Sequence, residues 1–126
     1  MKLLLLLFII LVISCKNGDN KSCSIYSRVV IENKAFNKKY LEIKAFETNL
    51  IKLLLLPSQK LEERQLCLDN IPKLDGSYSI RVHGGGLDSI SQFGYFSNGI
   101  PEETWYQIII YDNSFKVIQH PSTDKF

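Results

Sequence analysis

The chain has 126 residues, of which 45% are hydrophobic, 22% charged and 11% aromatic. That length accommodates one domain, and the ordinary charged fraction excludes wholesale disorder. Fifteen Lys and Arg against thirteen Asp and Glu leave a net charge of +2. This balance is unlike that of a protein living on phosphate contacts, so no nucleic-acid partner is expected.

Met1-Lys2 is followed by an unbroken apolar run from Leu3 to Ile13, and then by Ser14-Cys15. A short basic start ahead of such a run has the form of a secretory signal. Its helical length, roughly 16 Å, covers about half of a hydrocarbon core of ~30 Å, so it is not read as a spanning helix. A buried core helix is the competing reading, but the run has neither a polar face nor a cap.

The junction Val12-Ile13-Ser14-Cys15 resembles the lipobox of bacterial lipoproteins: an aliphatic residue, a tolerant position, a small residue, then cysteine. The resemblance covers residues 1–15 alone. It implies cleavage before Cys15, a diacylglycerol on the Cys15 sulfur and an acylated Cys15 amine. Several acyl chains on one residue anchor stably, where a single chain is marginal. Lys16, and not Asp, follows the cysteine, which in the family's enteric members implies outer-membrane placement. The polar stretch Lys16-Asn17-Gly18-Asp19-Asn20 also fits the surface-export signal of some bacterial groups. The resulting organisation is a signal peptide over 1–14, a lipidated cysteine and polar tether over 15–22, a domain over 23–120 and a tail over 121–126.

With Cys15 assigned to lipid, two of the three cysteines remain, Cys23 and Cys67. In an exported protein a disulfide between them is expected. Two free thiols, with Cys67 a small core residue between Leu66 and Leu68, are the alternative. Lys34, Lys38, Lys39 and Lys44 form the one basic concentration, interleaved with Phe36 and Tyr40 and diluted by Glu32, Glu42 and Glu47. They are read as a solvated strand face.

From Ser24 the hydrophobic pattern has a period of two. Ile25, Ser27, Val29 and Ile31 share one face, and after a turn over 33–39, Leu41, Ile43 and Ala45 share another. The short connection predicts that this second strand pairs antiparallel with the first. Leu50 to Leu56, nearly all apolar and stopped by Pro57, reads as a strand buried on both faces, with a helical turn as the alternative. Ser58 to Arg64 reads as a helical turn or polar loop, followed by a short strand over 63–68. Tyr78, Ile80 and Val82 are expected to face inward, and the Gly-x-Tyr-x-aliphatic approach resembles the tyrosine corner of immunoglobulin-like sandwiches. Trp105 to Tyr111 and Phe115 to Gln119 make a hairpin across Asp112-Asn113-Ser114, with Tyr111 near Phe115 and a frayed tail beyond. Six or seven short strands without a helical period predict an all-β fold. The expected architecture is a small antiparallel β-sandwich of immunoglobulin-like or related Greek-key topology.

Little in the sequence suggests catalysis. His83-Gly84-Gly85-Gly86 matches the HGGG oxyanion loop of some lipases, but no Gly-x-Ser-x-Gly elbow accompanies it, and a turn or bulge explains the glycines. His83 and His120 are the only histidines, and Asp69, Asp75 and Asp88 fit no cation-binding loop, so no metal or cofactor is expected. Turn-stabilising hydrogen bonds account for these carboxylates. The segment from Ser91 to Pro101 instead gathers aromatics among glycines and polar residues. Phe93, Tyr95, Phe96 and Asn98, with Trp105 and Tyr106 adjoining, are the candidate binding surface, although Phe93 and Phe96 also suit a core. The expected function is that of a non-catalytic envelope lipoprotein acting as a protein-interaction module. It would serve as an accessory subunit of an envelope complex or as an immunity-type inhibitor. A glycan-binding module, stacking Tyr95, Trp105 or Tyr106 on a polysaccharide, is the alternative.

Overall fold

The computed structural model describes residues 22–124. The expected signal peptide, the expected lipidation site Cys15 and the expected tether as far as residue 21 lie outside the described residues. Within them the chain forms nine strands: β1 (Tyr26–Asn33), β2 (Lys39–Ala45), β3 (Thr48–Leu55), β4 (Lys60–Cys67), β5 (Gly76–Gly84), β6 (Leu87–Ser97), β7 (Ile100–Pro101), β8 (Thr104–Ile110) and β9 (Phe115–Pro121). They make an all-β sandwich of a four-stranded sheet, β4-β1-β8-β9, and a five-stranded sheet, β3-β2-β5-β6-β7.

The period-two pattern becomes the core directly. Ser27, Val29, Ile31 and Asn33 of β1 face Leu41, Ile43 and Ala45 of β2 and Tyr78, Ile80 and Val82 of β5 across the layers, all buried. The chain changes layer at β1–β2, β3–β4, β4–β5 and β7–β8, and at those steps sequence neighbours are not sheet neighbours. β1 and β2 lie in different sheets, which corrects the expected pairing: the short connection is a corner between layers, not a hairpin. β4 returns beside β1 and β5 beside β2, in the manner of a Greek key. β1 also pairs with β8, from Arg28 opposite Trp105 to Asn33 opposite Ile110, in the one parallel ladder among the described strands.

Three further expectations are corrected. The apolar run at 50–56 is not buried on both faces: β3 is an edge strand paired only with β2, and Leu54 and Leu56 are about half exposed. Residues from Lys60 belong to β4, not to a loop or helical turn. The last hairpin places Ile110, not Tyr111, opposite Phe115, and Tyr111 closes the turn by donating its N–H to the Ser114 carbonyl. The Gly-rich segment after His83 is the β5–β6 turn, where Gly85 and Gly86 have φ of 58° and 87°. Two successive positive φ values are what a tight hairpin with right-twisted strands requires.

The corner over 33–39 is held by buried polar side chains. Asn33 is fully buried; its Nδ2 donates to the carbonyls of Asn37 and Leu56 and its Oδ1 accepts the Ala35 N–H. Lys39, expected on a solvated face, is also fully buried. Its Nζ donates at 2.8 Å to the Gly84 carbonyl in the five-stranded sheet and at 2.7 Å to the Asp112 carbonyl in the β8–β9 turn of the other. Lys34 and Lys38 remain exposed and Lys44 is half-buried.

At the opposite end, Cys23 and Cys67 form a disulfide that ties the start of β1 to the end of β4, with Cα atoms 5.7 Å apart. The adjacent Asp69 accepts the N–H groups of Ser24 and Ile25. These bonds hold its carboxyl below the usual carboxylate range, Ser24 contributing most.

Two stability outcomes follow from these two ends. Replacing both Cys23 and Cys67 by alanine removes a cross-link spanning 44 residues and should lower unfolding free energy by about 4 kcal/mol on the chain-entropy account. Urea titrations with and without reductant measure it, and reduction should leave the double variant unchanged. Asn33→Ala strands several buried backbone groups and should cost about 3 kcal/mol in the same assay.

Candidate interaction surface

The aromatic segment expected to be an open binding loop is strand β6 with the β6–β7 hairpin, and most of its aromatics point inward. Phe93 is 9% exposed, Phe96 is fully buried, and Tyr106 is 1% exposed. These three converge on Tyr78: ring centroids lie 5.1 Å from Tyr78 to Phe93, 5.4 Å to Phe96 and 6.1 Å to Tyr106, and 5.0 Å between Phe93 and Tyr106. The tilted and edge-on arrangements suit ring quadrupoles. Gly94 makes the packing possible, since a Cβ there would lie 2.6 Å from the Tyr106 hydroxyl and its φ is +66°. A residue read as a loop glycine is therefore a close approach within a strand.

Both phenols find partners inside the sandwich. The Tyr78 hydroxyl shares a hydrogen bond with Ser27 Oγ, reaching from β5 to β1 across the layers, and Thr104 donates to the Tyr106 hydroxyl. Tyr78 thus sits in the core, bonding to a side chain of the facing sheet, unlike a tyrosine corner's bond to nearby backbone. Burial pushes the Tyr78 phenol up to about 12, opposed by the Ser27 hydrogen bond and aided by Tyr106. Burial also raises Tyr106.

Trp105, 4% exposed, lies on the outer face of the four-stranded sheet and is covered there. His120 stacks on it with centroids 4.0 Å apart, and the indole N–H donates to the Asp124 carbonyl. The tail expected to fray therefore folds over Trp105 as far as residue 124. Of the candidate surface, Tyr95 and Asn98 remain exposed. Asn98 is a turn residue with φ of 51°, and Asp75 accepts its N–H. So Phe93, Phe96, Trp105 and Tyr106 do not form a surface, and only the length of β6 separates it, in sequence, from a loop.

The carboxylates are likewise occupied. Asp75 is held below the usual range by the Asn98 N–H and the Ser97 hydroxyl, and Asp88 by its two-pronged pairing with Arg81. Asp69 lies beside Cys23 and Cys67, with ligand-type atoms all within 4.8 Å, but both sulfurs are joined to each other and Asp69 serves backbone N–H groups. A shallow groove of about 490 Å³ runs between Tyr26, Arg28, Pro101 and Thr104.

What sequence reasoning did not single out is the corner end of the sandwich. Phe36 is 87% exposed, the highest of any aromatic described. The corner is fixed beneath it, because Phe36 N–H donates to Asp112 Oδ1 and Ala35 accepts the Ser58 N–H. Leu56, whose carbonyl Asn33 holds, stands out beside this corner, and on the adjoining face Tyr40 lies opposite Leu54 in the β2–β3 ladder. Tyr40 stacks on His83 at 5.1 Å. Exposed Lys34 and Lys38 flank Phe36 in the chain. An apolar projection on a hydrogen-bonded base, bordered by cations, is a surface suited to contact. The signal for it was present as an aromatic inside a polar turn.

No protein-family model, curated protein or solved structure matches this chain.

The buried phenols make a pH prediction. Tyr78 keeps its proton to about pH 12 in the folded state, while in the unfolded chain it releases it near pH 10. Its contribution is complete below pH 10 and is lost as pH rises from 10 through 12. Urea midpoints should fall across that window, and Tyr78→Phe should fall less steeply, with Tyr106 supplying the remaining slope.

Proposed function

We propose that this chain is a lipid-anchored, non-catalytic module of a bacterial cell envelope that works by binding another protein. On this reading it is an accessory subunit of an envelope complex or an inhibitor that blocks a secreted toxin. The lipobox-like junction at Cys15 supports the anchoring, with outer-membrane placement favoured by Lys16. The observation that carries the binding role is the exposed corner: Phe36 and Leu56 project from a base fixed by Asn33, Lys39 and Asp112. A rigidly supported apolar anchor loses little conformational entropy on binding, the feature that marks residues dominating protein interfaces. The glycan alternative is weakened by burial. Sugar recognition by stacking calls for open aromatic faces, and of Tyr95, Trp105 and Tyr106 only Tyr95 is exposed.

Anchoring and binding are tested separately. In a bacterial host, labelled palmitate should enter the wild-type chain and be absent from Cys15→Ala. Capture with residues 16–126 from envelope and secreted fractions should yield one stoichiometric protein. Phe36→Ser should abolish that capture, and Tyr95→Ala should leave it intact. An empty capture combined with polysaccharide binding lost in Tyr95→Ala would replace this reading by the glycan one.

A further inference from the structure

Free strand edges expose unpaired N–H and C=O groups, and proteins usually blunt them with charge, proline or short length. Most edges here are blunted. β4 displays Lys60, Glu63 and Arg64, β7 has two residues, and β9 carries Lys116 and ends at Pro121. The part of β6 beyond β7 displays Asp88, Ser91 and Gln92. β3 differs. It has eight residues, Thr-Asn-Leu-Ile-Lys-Leu-Leu-Leu, with one charge and no proline, and among the described residues it pairs only with β2.

We propose that β3 pairs antiparallel with β3 of a second copy of this chain, about a twofold axis at Leu53, joining two five-stranded sheets into one. The groups left open on a strand edge are satisfied in full only by another extended strand. A second copy fits because the edge can oppose itself residue for residue, inward face to inward face and outer face to outer face. Ile51, Leu53 and Leu55 oppose the inward residues of β2, whereas Lys52 and Leu54 oppose Glu42 and Tyr40 on the outer face. Opposed residues must share a face, so the axis passes through a residue. An axis at Lys52 would set two ammonium groups against each other. An axis at Leu53 sets Lys52 opposite Leu54 and Ile51 opposite Leu55, within the regular part of the ladder beyond its shift near Leu50. It also covers Leu54 and Leu56, which are 49% and 56% exposed.

Residues 16–126 hold every described strand, the disulfide and the core, and serve as the test protein. Sedimentation velocity from micromolar to submillimolar concentration should show a monomer–dimer equilibrium. Leu54→Lys places a second cation opposite Lys52 on each side and should weaken the dimer about tenfold. Leu54 is half exposed, so circular dichroism and melting should not change. Under mild oxidation Leu53→Cys should give a covalent dimer, and Ser91→Cys, on the free stretch of β6, should not. A monomer throughout, a dimer indifferent to Leu54→Lys, or equal cross-linking through Ser91→Cys would overturn the proposal. Phe36→Ser should leave the equilibrium alone, so failure here is separable from failure of the binding role at the corner.

Discussion

The fold depends on turning one polar corner in the dark. Between β1 and β2 the chain leaves one sheet and enters the other, and doing so strips water from backbone groups that no ladder can pair. Asn33 meets that demand locally, with one amide serving two carbonyls and an N–H. Lys39 meets it globally, because its ammonium bonds to a carbonyl in each layer. A buried cation is costly to desolvate, yet here it replaces two otherwise orphaned acceptors at the point where the β5–β6 and β8–β9 turns converge. With that corner set, β2 must lie across from β1, β4 can return beside β1, and the centre of the four-stranded sheet is left open for β8 to enter in parallel.

This dependence explains which parts of the fold were legible in the sequence. Alternation fixed the inward faces of β1, β2 and β5 and the final hairpin, because period two is a local property of each strand. It says nothing of which strand comes alongside. The β1–β2 pairing was misassigned because short connections usually make hairpins, and only the buried partners of Asn33 and Lys39 reveal a corner. Lys39 reads as solvent-facing by residue type, although it stands in phase with Leu41, Ile43 and Ala45. Phase was the better guide there, and type overrode it. The run at 50–56 was misread for the converse reason: six apolar residues suggest burial on two sides, whereas at this edge Leu54 and Leu56 are left exposed.

The candidate surface was harder to read. Aromatics among glycines describe an open loop and a packed strand equally well, and the deciding fact is three-dimensional: Gly94 has no side chain where Tyr106 must pass. The cluster about Tyr78 then uses Phe93, Phe96 and Tyr106 as core, joining β5, β6 and β8 across both layers. Trp105 is withdrawn by a different route, under His120 and the chain near Asp124. The most exposed aromatic described is Phe36, set in a turn whose polarity hid it from a search for aromatic clusters. A single ring on a fixed base needs no cluster to be an anchor.

The two proposals constrain one another through geometry. An antiparallel pair about Leu53 places the Cys23 end of one copy beside the Phe36 corner of the other. Strands of eight residues span about 26 Å, so the two Cys23 residues stand at opposite ends of the joined sheet. If both copies are anchored at Cys15, the eight-residue step from Cys15 to Cys23 reaches at most about 29 Å. Both tethers then meet one bilayer without strain when the strands lie along the membrane, with the twofold axis perpendicular to it. The two Phe36 corners would face outward in opposite directions, parallel to the bilayer.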